Sequence, residues 1–129
     1  MQVQKWKSMI RLASKIAAKS KFKRARVGAV IVKAGRVLAT GCNRIGYSKY
    51  LPGRPYPESV HAEQQAVLQL LKEDRIDDLA NATIYISRIL RDGSCGLALP
   101  CPICRSLLHS VGIRRVVYTT IKGRESYEN

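Results

Sequence analysis

The sequence predicts a single-domain α/β protein, residues 1–129, in which one sheet is covered by helices. Three observations carry that expectation. Hydrophobic residues make up 46% of the chain, yet there are only one Trp, one Phe and six Tyr, so Val, Ile, Leu and Ala must fill the core, as they do where helices pack on sheets. The length suits one core and not two. Segments with apolar residues at helical spacing alternate with short β-branched runs, in the order helix, strand, strand, helix, strand, helix, strand.

Residues 5–19 place Trp6, Met9, Ile10, Ala13, Ile16 and Ala17 at helical spacing and predict an amphipathic opening helix. Val27 to Val32 is an apolar, β-branched run that reads as a buried strand; Ala34-Gly35 breaks it, and Arg36 to Cys42 resumes it as the second arm of a hairpin. Asn43 to Ser59 holds Pro52, Pro55 and Pro57 and reads as a long loop, of the kind that usually carries function. Ser59 is the expected N-cap of a helix from about Val60 to Glu73, with Ala62, Ala66, Val67, Leu70 and Leu71 as its apolar face. Ala82 to Ile86 reads as a third strand, followed by a Gly-containing excursion from Arg88 to Leu99. Pro100 opens a helix over about Cys101 to Val111, Gly112 closes it, and Ile113 to Thr120 is a fourth strand. The later strands, joined through helices, are expected to run parallel.

Charge is distributed unevenly. The chain has 23 Lys and Arg against 9 Asp and Glu, a net charge of +14; residues 1–57 carry 14 of the basic residues and no acid, whereas residues 58–129 carry 9 of each. Lys7, Arg11, Lys15 and Lys19 recur every fourth residue and form one stripe on the opening helix. That stripe is either a solvated face or an attractor of a phosphate-bearing partner. No apolar run is long enough to cross a bilayer, and no apolar segment follows Lys5 and Lys7 as in a secretory signal, so a soluble protein without a membrane partner is expected. With that reading, the spacing Cys101-Pro-Ile-Cys104 points to metal or redox chemistry in a reducing, cytoplasmic compartment rather than to disulfides.

Two short motifs open two successive helices: His61-Ala62-Glu63, and Pro100-Cys101-Pro102-Ile103-Cys104. Helix starts that emerge at the same sheet edge can converge on one ion. Cys101 and Cys104 lie about one turn apart and can chelate together, their thiolates favoured by the helix N-terminus. His61 supplies a third ligand, and three protein ligands leave a tetrahedral position open, the mark of a catalytic site. Glu63 is better placed to exchange protons with water at that position than to bind the ion. Taken alone, Cys-x-x-Cys could be structural zinc or a redox pair, and His61 could be an ordinary surface or core histidine.

In this order the two motifs match the signature of zinc nucleobase deaminases, and the chain resembles the cytidine deaminase superfamily, in particular its dCMP-deaminase-like and tRNA-adenosine-deaminase-like branch. The resemblance runs through Arg26 to Val32, Gly41-Cys42-Asn43, the His61 motif, Ala82 to Tyr85, the Cys101 motif and Ile113 to Thr120. It implies a three-layer α/β/α fold with a mixed sheet of four to five strands. It implies Zn2+ as cofactor, held by His61, Cys101 and Cys104, with Glu63 as the proton shuttle. It also implies Asn43 as a ribose contact, the Ala62 backbone against the base, and Ala29 and Val30 lining the pocket. The activity implied is hydrolytic deamination that releases ammonia, of cytosine in a cytidine or deoxycytidine nucleotide.

The chain departs from that pattern in three places. The excess length between Arg88 and Leu99 predicts an extra hairpin or loop beside the site. Only nine residues follow Thr120, which points to a sheet edge left open or covered by a partner subunit in a homo-oligomer. The Asn43-to-His61 loop is long and carries Arg44, Tyr47, Lys49, Tyr50, Arg54 and Tyr56, which could clamp a nucleotide phosphate, stack on the bases of a single-stranded nucleic acid, or simply pack the loop down. Other readings stay open: a deaminase acting on cytosine or adenine in single-stranded DNA or RNA, a pterin or guanine enzyme, and a non-catalytic zinc module that binds nucleic acid. Cys42 reads as a small buried residue, Cys95 as a spare loop thiol, His109 as a surface residue, and Arg114 and Arg115 as solvated charges.

Overall fold

Alternation along the strands separates two apolar layers in the computed structural model, which describes residues 2–21, 25–46 and 58–129. In β1 (Arg26–Lys33), Ala29 and Ile31 face one side of the sheet, while Val30 and Val32 face the other. The first side packs against α2 (Ala62–Lys72) and α3 (Pro102–Ser110) through Ala62, Ala66, Leu70 and Leu108. The second packs against α1 (Gln2–Ala17) through Ala13, Met9, Leu12 and Ile16. The result is the expected three-layer α/β/α arrangement. Gly28 lets α1 lie close to the sheet: a Cβ there would stand 2.1 Å from the Ala13 carbonyl oxygen. Lys7, Arg11, Lys15 and Lys19 are exposed, as an amphipathic helix requires.

β1 and β2 (Arg36–Cys42) form the predicted hairpin. Its two-residue loop places Ala34 at φ 52° and Gly35 at φ 76°, the left-handed pair that matches the twist of the flanking strands. β1 also pairs antiparallel with β5 (Thr83–Ile89), and β5 pairs parallel with β7 (Arg115–Thr120), so the later strands do run parallel. β3 (Arg44–Gly46) and β4 (Glu58–Val60) form a separate two-stranded ribbon at the base of the long loop. That ribbon corrects two expectations. The loop is not irregular from Asn43 to Ser59, and Ser59 lies within β4, so His61 is the N-cap of α2.

The main sheet has six strands, not four to five. β6 (Cys95–Gly96) folds back on the end of β5, so the excess between Arg88 and Leu99 is indeed a hairpin. β8 (Gly123–Glu128) pairs antiparallel along the whole of β7, so the nine residues after Thr120, read as leaving a sheet edge open or partner-covered, instead supply a further strand beside β7. As an edge strand it half-buries only Arg124 and Tyr127, so it needs no apolar run, and its charged residues suit an exposed edge. Arg124 lies 4.3 Å over the ring of Trp6, tying the last strand to the first helix. No helix among the described residues is long and apolar enough to cross a membrane.

Candidate metal centre and substrate cavity

The two helix starts converge as their motifs predict. His61 is the N-cap of α2, with extended backbone at φ −70° and ψ 149°. Its N–H donates to Oε1 of Gln64 at 3.0 Å, and its carbonyl accepts the Gln65 N–H at 3.0 Å, so both backbone groups are held at the helix start. Gly41 on β2 seats this first turn: a Cβ there would stand 2.6 Å from the Ala66 nitrogen and 2.7 Å from the Ala62 oxygen. Cys101 is the N-cap of α3 at φ −66° and ψ 164°, followed by Pro102, whose fixed φ suits a first helical position. Its carbonyl accepts the Arg105 N–H at 2.8 Å. Arg105 in turn stacks on Tyr127 of β8, with the guanidinium 4.5 Å from the ring centre.

His61, Cys101 and Cys104 meet. His61 Nδ1 lies 3.2 Å from Cys104 Sγ and 3.8 Å from Cys101 Sγ, and the three ligand atoms all fall within 4.8 Å of one another. A tetrahedral zinc ion with ordinary Zn–N and Zn–S bonds separates a nitrogen from a sulfur ligand by about 3.6 Å. The two observed separations bracket that value. The donor set of one imidazole and two thiols is also the borderline-soft set that zinc prefers.

The electrostatics of the cluster turn on whether a cation is bound. Burial, with Glu63 and Cys101 beside it, pushes the Cys104 thiol far above its ordinary value. A bound divalent ion reverses this and holds both sulfurs as thiolates. Glu63 is buried next to them. Burial pushes its carboxyl up to about 7, against the opposing pull of backbone and Cys104 hydrogen bonds. A carboxyl in that range exchanges protons readily at neutral pH.

A cavity of about 210 Å³ opens beside this cluster, and His61, Ala62, Glu63 and Cys101 form part of its wall. Asn43 lines it as well, though both ends of its amide also hold local backbone: Oδ1 accepts the Val27 N–H at 2.9 Å and Nδ2 donates to the Ala25 carbonyl. β1 contributes Val27 to the wall, not the expected Ala29 and Val30. Ala29 is fully buried beneath α2, and Val30 faces α1 on the opposite side of the sheet. Arg44 is exposed on β3 and does not line the cavity. Tyr47 lies outside the described residues.

The β5–β6 hairpin adds wall residues that the motifs did not single out: Arg88, Leu97, Ala98 and Leu99. The signal for Arg88 was available in the period-two pattern, because it follows Ile84 and Ile86 on the face that packs toward α2 and α3. Cys42 is half-buried, Cys95 and His109 are exposed, and none of the three lines the cavity.

A helix-covered mixed sheet with one imidazole and two sulfurs gathered at two helix starts, beside a buried acid, defines a zinc-dependent enzyme of the deaminase class. Residues 3–120 match the family described as the cytidine and deoxycytidylate deaminase zinc-binding region, and the chain belongs to that family. A deoxycytidylate deaminase of Mycobacterium phage D29 is 33% identical over 126 aligned positions, covering 83% of this chain and 88% of that protein. Among solved structures, the dCMP deaminase of cyanophage S-TIM5 in apo form matches at a TM-score of 0.69 and 25% identity, over 93% of this chain and 86% of the other. A cytidine deaminase from Burkholderia pseudomallei shares the fold at a TM-score of 0.67 and 22% identity, over 95% and 91% of the two chains.

Proposed function

We propose that this chain, acting as one deaminase domain over residues 1–129, hydrolyses the exocyclic amine of cytosine in a cytidine or deoxycytidine nucleotide and releases ammonia. The observation that carries the reading is the buried Glu63 carboxyl beside the His61, Cys101 and Cys104 cluster in one cavity wall. The names of the relatives, deoxycytidylate and dCMP deaminases, support a nucleotide as the substrate.

His61, Cys101 and Cys104 hold zinc, which when bound lowers the pKa of a coordinated water to about 7. Glu63 accepts the proton that the attacking water gives up and delivers it to the ring nitrogen. It then takes the proton of the new C4 hydroxyl and passes it to the departing amine, so that C4 becomes a carbonyl and ammonia leaves. Leu97 and Leu99, exposed at the cavity wall, offer apolar surface to the faces of a base. Ala62 and Asn43 line the same cavity, which supports giving them the contacts to the base edge and the sugar.

The test is ammonia release from cytidine, CMP, dCMP, adenosine nucleotides, guanine and single-stranded DNA and RNA, with zinc measured on the same sample. dCMP or CMP should be turned over fastest, and Glu63→Ala should keep zinc and lose ammonia release. Undiminished function in Glu63→Ala would favour a non-catalytic zinc module. Polynucleotide turnover that weakens steeply with salt would move the reading to a single-strand deaminase that uses the exposed stripe on α1.

A further inference from the structure

Arg88 is the one arginine or lysine among the described residues that line the cavity, and its surroundings are those of a residue built to meet an anion. Its backbone is locked. The Arg88 N–H donates to Thr119 Oγ1 at 3.1 Å, that hydroxyl donates to the Gly96 carbonyl at 2.8 Å, and the Ala98 N–H donates to the Thr119 carbonyl at 2.9 Å. Thr119, on β7, thus ties together β5, β6 and the segment leading into the Cys101 helix at Arg88, which is itself paired with Val27 and Gly96. Directly across the ladder from Arg88 stands Gly96, where a Cβ would come within 3.3 Å of Arg88 Cδ and 2.7 Å of Leu90 Cδ2. Glycine at that position leaves the arginine stem its room.

The guanidinium end is incomplete. Nε of Arg88 is buried and has no hydrogen-bond partner among the described residues. A guanidinium stays charged at any physiological pH, so a buried donor left unmet is costly, and native folds satisfy nearly all such donors. Ile84 and Ile86, on the same face of β5, cannot accept a hydrogen bond. The cavity that Arg88 lines is where an acceptor on a bound substrate can reach it. The planar fork of an arginine matches the oxygens of a phosphate, where two parallel hydrogen bonds form at once. The reacting amine and ring of cytosine carry no charge; the part of a nucleotide that does is its phosphate.

Resting on the reading of the chain as a nucleotide deaminase, we infer that Arg88, fixed at the mouth of the β5–β6 hairpin with its Nε unmet in the cavity wall, binds the phosphate of the substrate and selects a nucleotide over the corresponding nucleoside. The inserted hairpin then has a specific use: it turns the end of β5 into a phosphate site that the metal-binding motifs do not provide.

Kinetics of zinc-loaded wild type, Arg88→Gln and Arg88→Lys on dCMP and deoxycytidine test this directly. In Arg88→Gln the ratio of kcat/KM for dCMP to that for deoxycytidine should fall by about 10- to 100-fold, the range for losing a hydrogen bond to a charged group, and chiefly through KM for dCMP. Arg88→Lys should recover part of the ratio, and it carries the same comparison if the Gln variant does not fold. Calorimetric binding of dUMP and deoxyuridine adds a readout independent of turnover: wild type should prefer dUMP and Arg88→Gln should lose that preference. If the dCMP and deoxycytidine efficiencies fall together with their ratio intact, Arg88 holds the base or the fold, and the inference is overturned. A wild type that deaminates neither compound overturns the nucleotide-deaminase reading instead, and the dUMP comparison still decides whether Arg88 recognises phosphate.

Discussion

At the start of α2 the chain sets a half-buried imidazole at the N-cap and a buried carboxyl two residues on; at the start of α3 it sets a half-buried thiol at the N-cap and a buried thiol three residues on. The backbone entries are nearly alike, so the spacing makes the difference. Each helical residue advances about 100°, so three residues return to within about 60° of the first, while two residues land about 160° away. Cys104 therefore shares a face with Cys101 and joins it as a ligand. Glu63, two residues on, falls outside the three-residue ligand spacing and sits buried in the cavity wall beside His61 and Cys104, where the proposed function gives it the proton transfer. One helix entrance is a pincer, and in the proposed function the other divides its two side chains between holding the ion and moving protons.

The largest effect is expected where the pincer is broken. Cys104→Ala should abolish zinc content and push ammonia release below detection. It should also forfeit the stabilisation that zinc supplies, about 4 kcal/mol when free zinc is a thousand times its Kd, read as a lowered Tm relative to the zinc-loaded wild type. Cys101→Ser sharpens the point. Serine is a favoured N-cap, so the metal-free Tm should match that of metal-free wild type while the rise on adding zinc disappears. On the other entrance, Glu63→Gln should retain zinc and the zinc-dependent Tm yet lose about 10²- to 10⁴-fold in kcat. A Glu63→Gln protein stripped of zinc would show that the division of labour between the two entrances is wrong.

Smaller effects follow from the supports. Gln64→Ala removes the acceptor of the His61 N–H and should cost about 1 kcal/mol in denaturant unfolding, with no equivalent loss at α3, where Pro102 does the corresponding work without a side-chain hydrogen bond. Ala34→Asn, in the β1–β2 turn far in sequence from either entrance, should raise stability by about 0.5–1 kcal/mol, since Asn tolerates the left-handed backbone better than Ala. It should leave zinc content and turnover as they are, which makes it the control for the other four.

How much of this was legible follows from what each element buries. β1, α2, α3 and β7 were readable because each carries a strong apolar period, and the metal cluster was readable because its ligands sit at the openings of two of them. β8 was hidden because an edge strand with one neighbour can be built from Gly-Arg-Glu-Ser-Tyr-Glu, a sequence with no strand-like apolar alternation. β3 and β4, three residues each, fall below the length at which a period can be counted. That Val30 faces α1 and not the cavity is not legible in β1, because a buried strand is apolar on both faces and its sequence does not say which face meets which helix. The period of β5 places Arg88 on the face of Ile84 and Ile86, but that it lines a cavity is not legible, because the hairpin's second strand, Cys95–Gly96, is two residues long and leaves almost no trace in composition.

The contact between Arg124 and Trp6 has a practical outcome. The chain has a single tryptophan, so all of its indole fluorescence arises from α1, on the opposite face of the sheet from the metal ligands. A cation resting over that ring shifts its emission, and lifting β8 away removes the nearer of two, Arg124 at 4.3 Å, leaving Lys7 of α1 itself at 5.8 Å. The molecule thus carries a built-in optical gauge of whether its final strand is seated, one that can be followed while the metal is loaded or stripped.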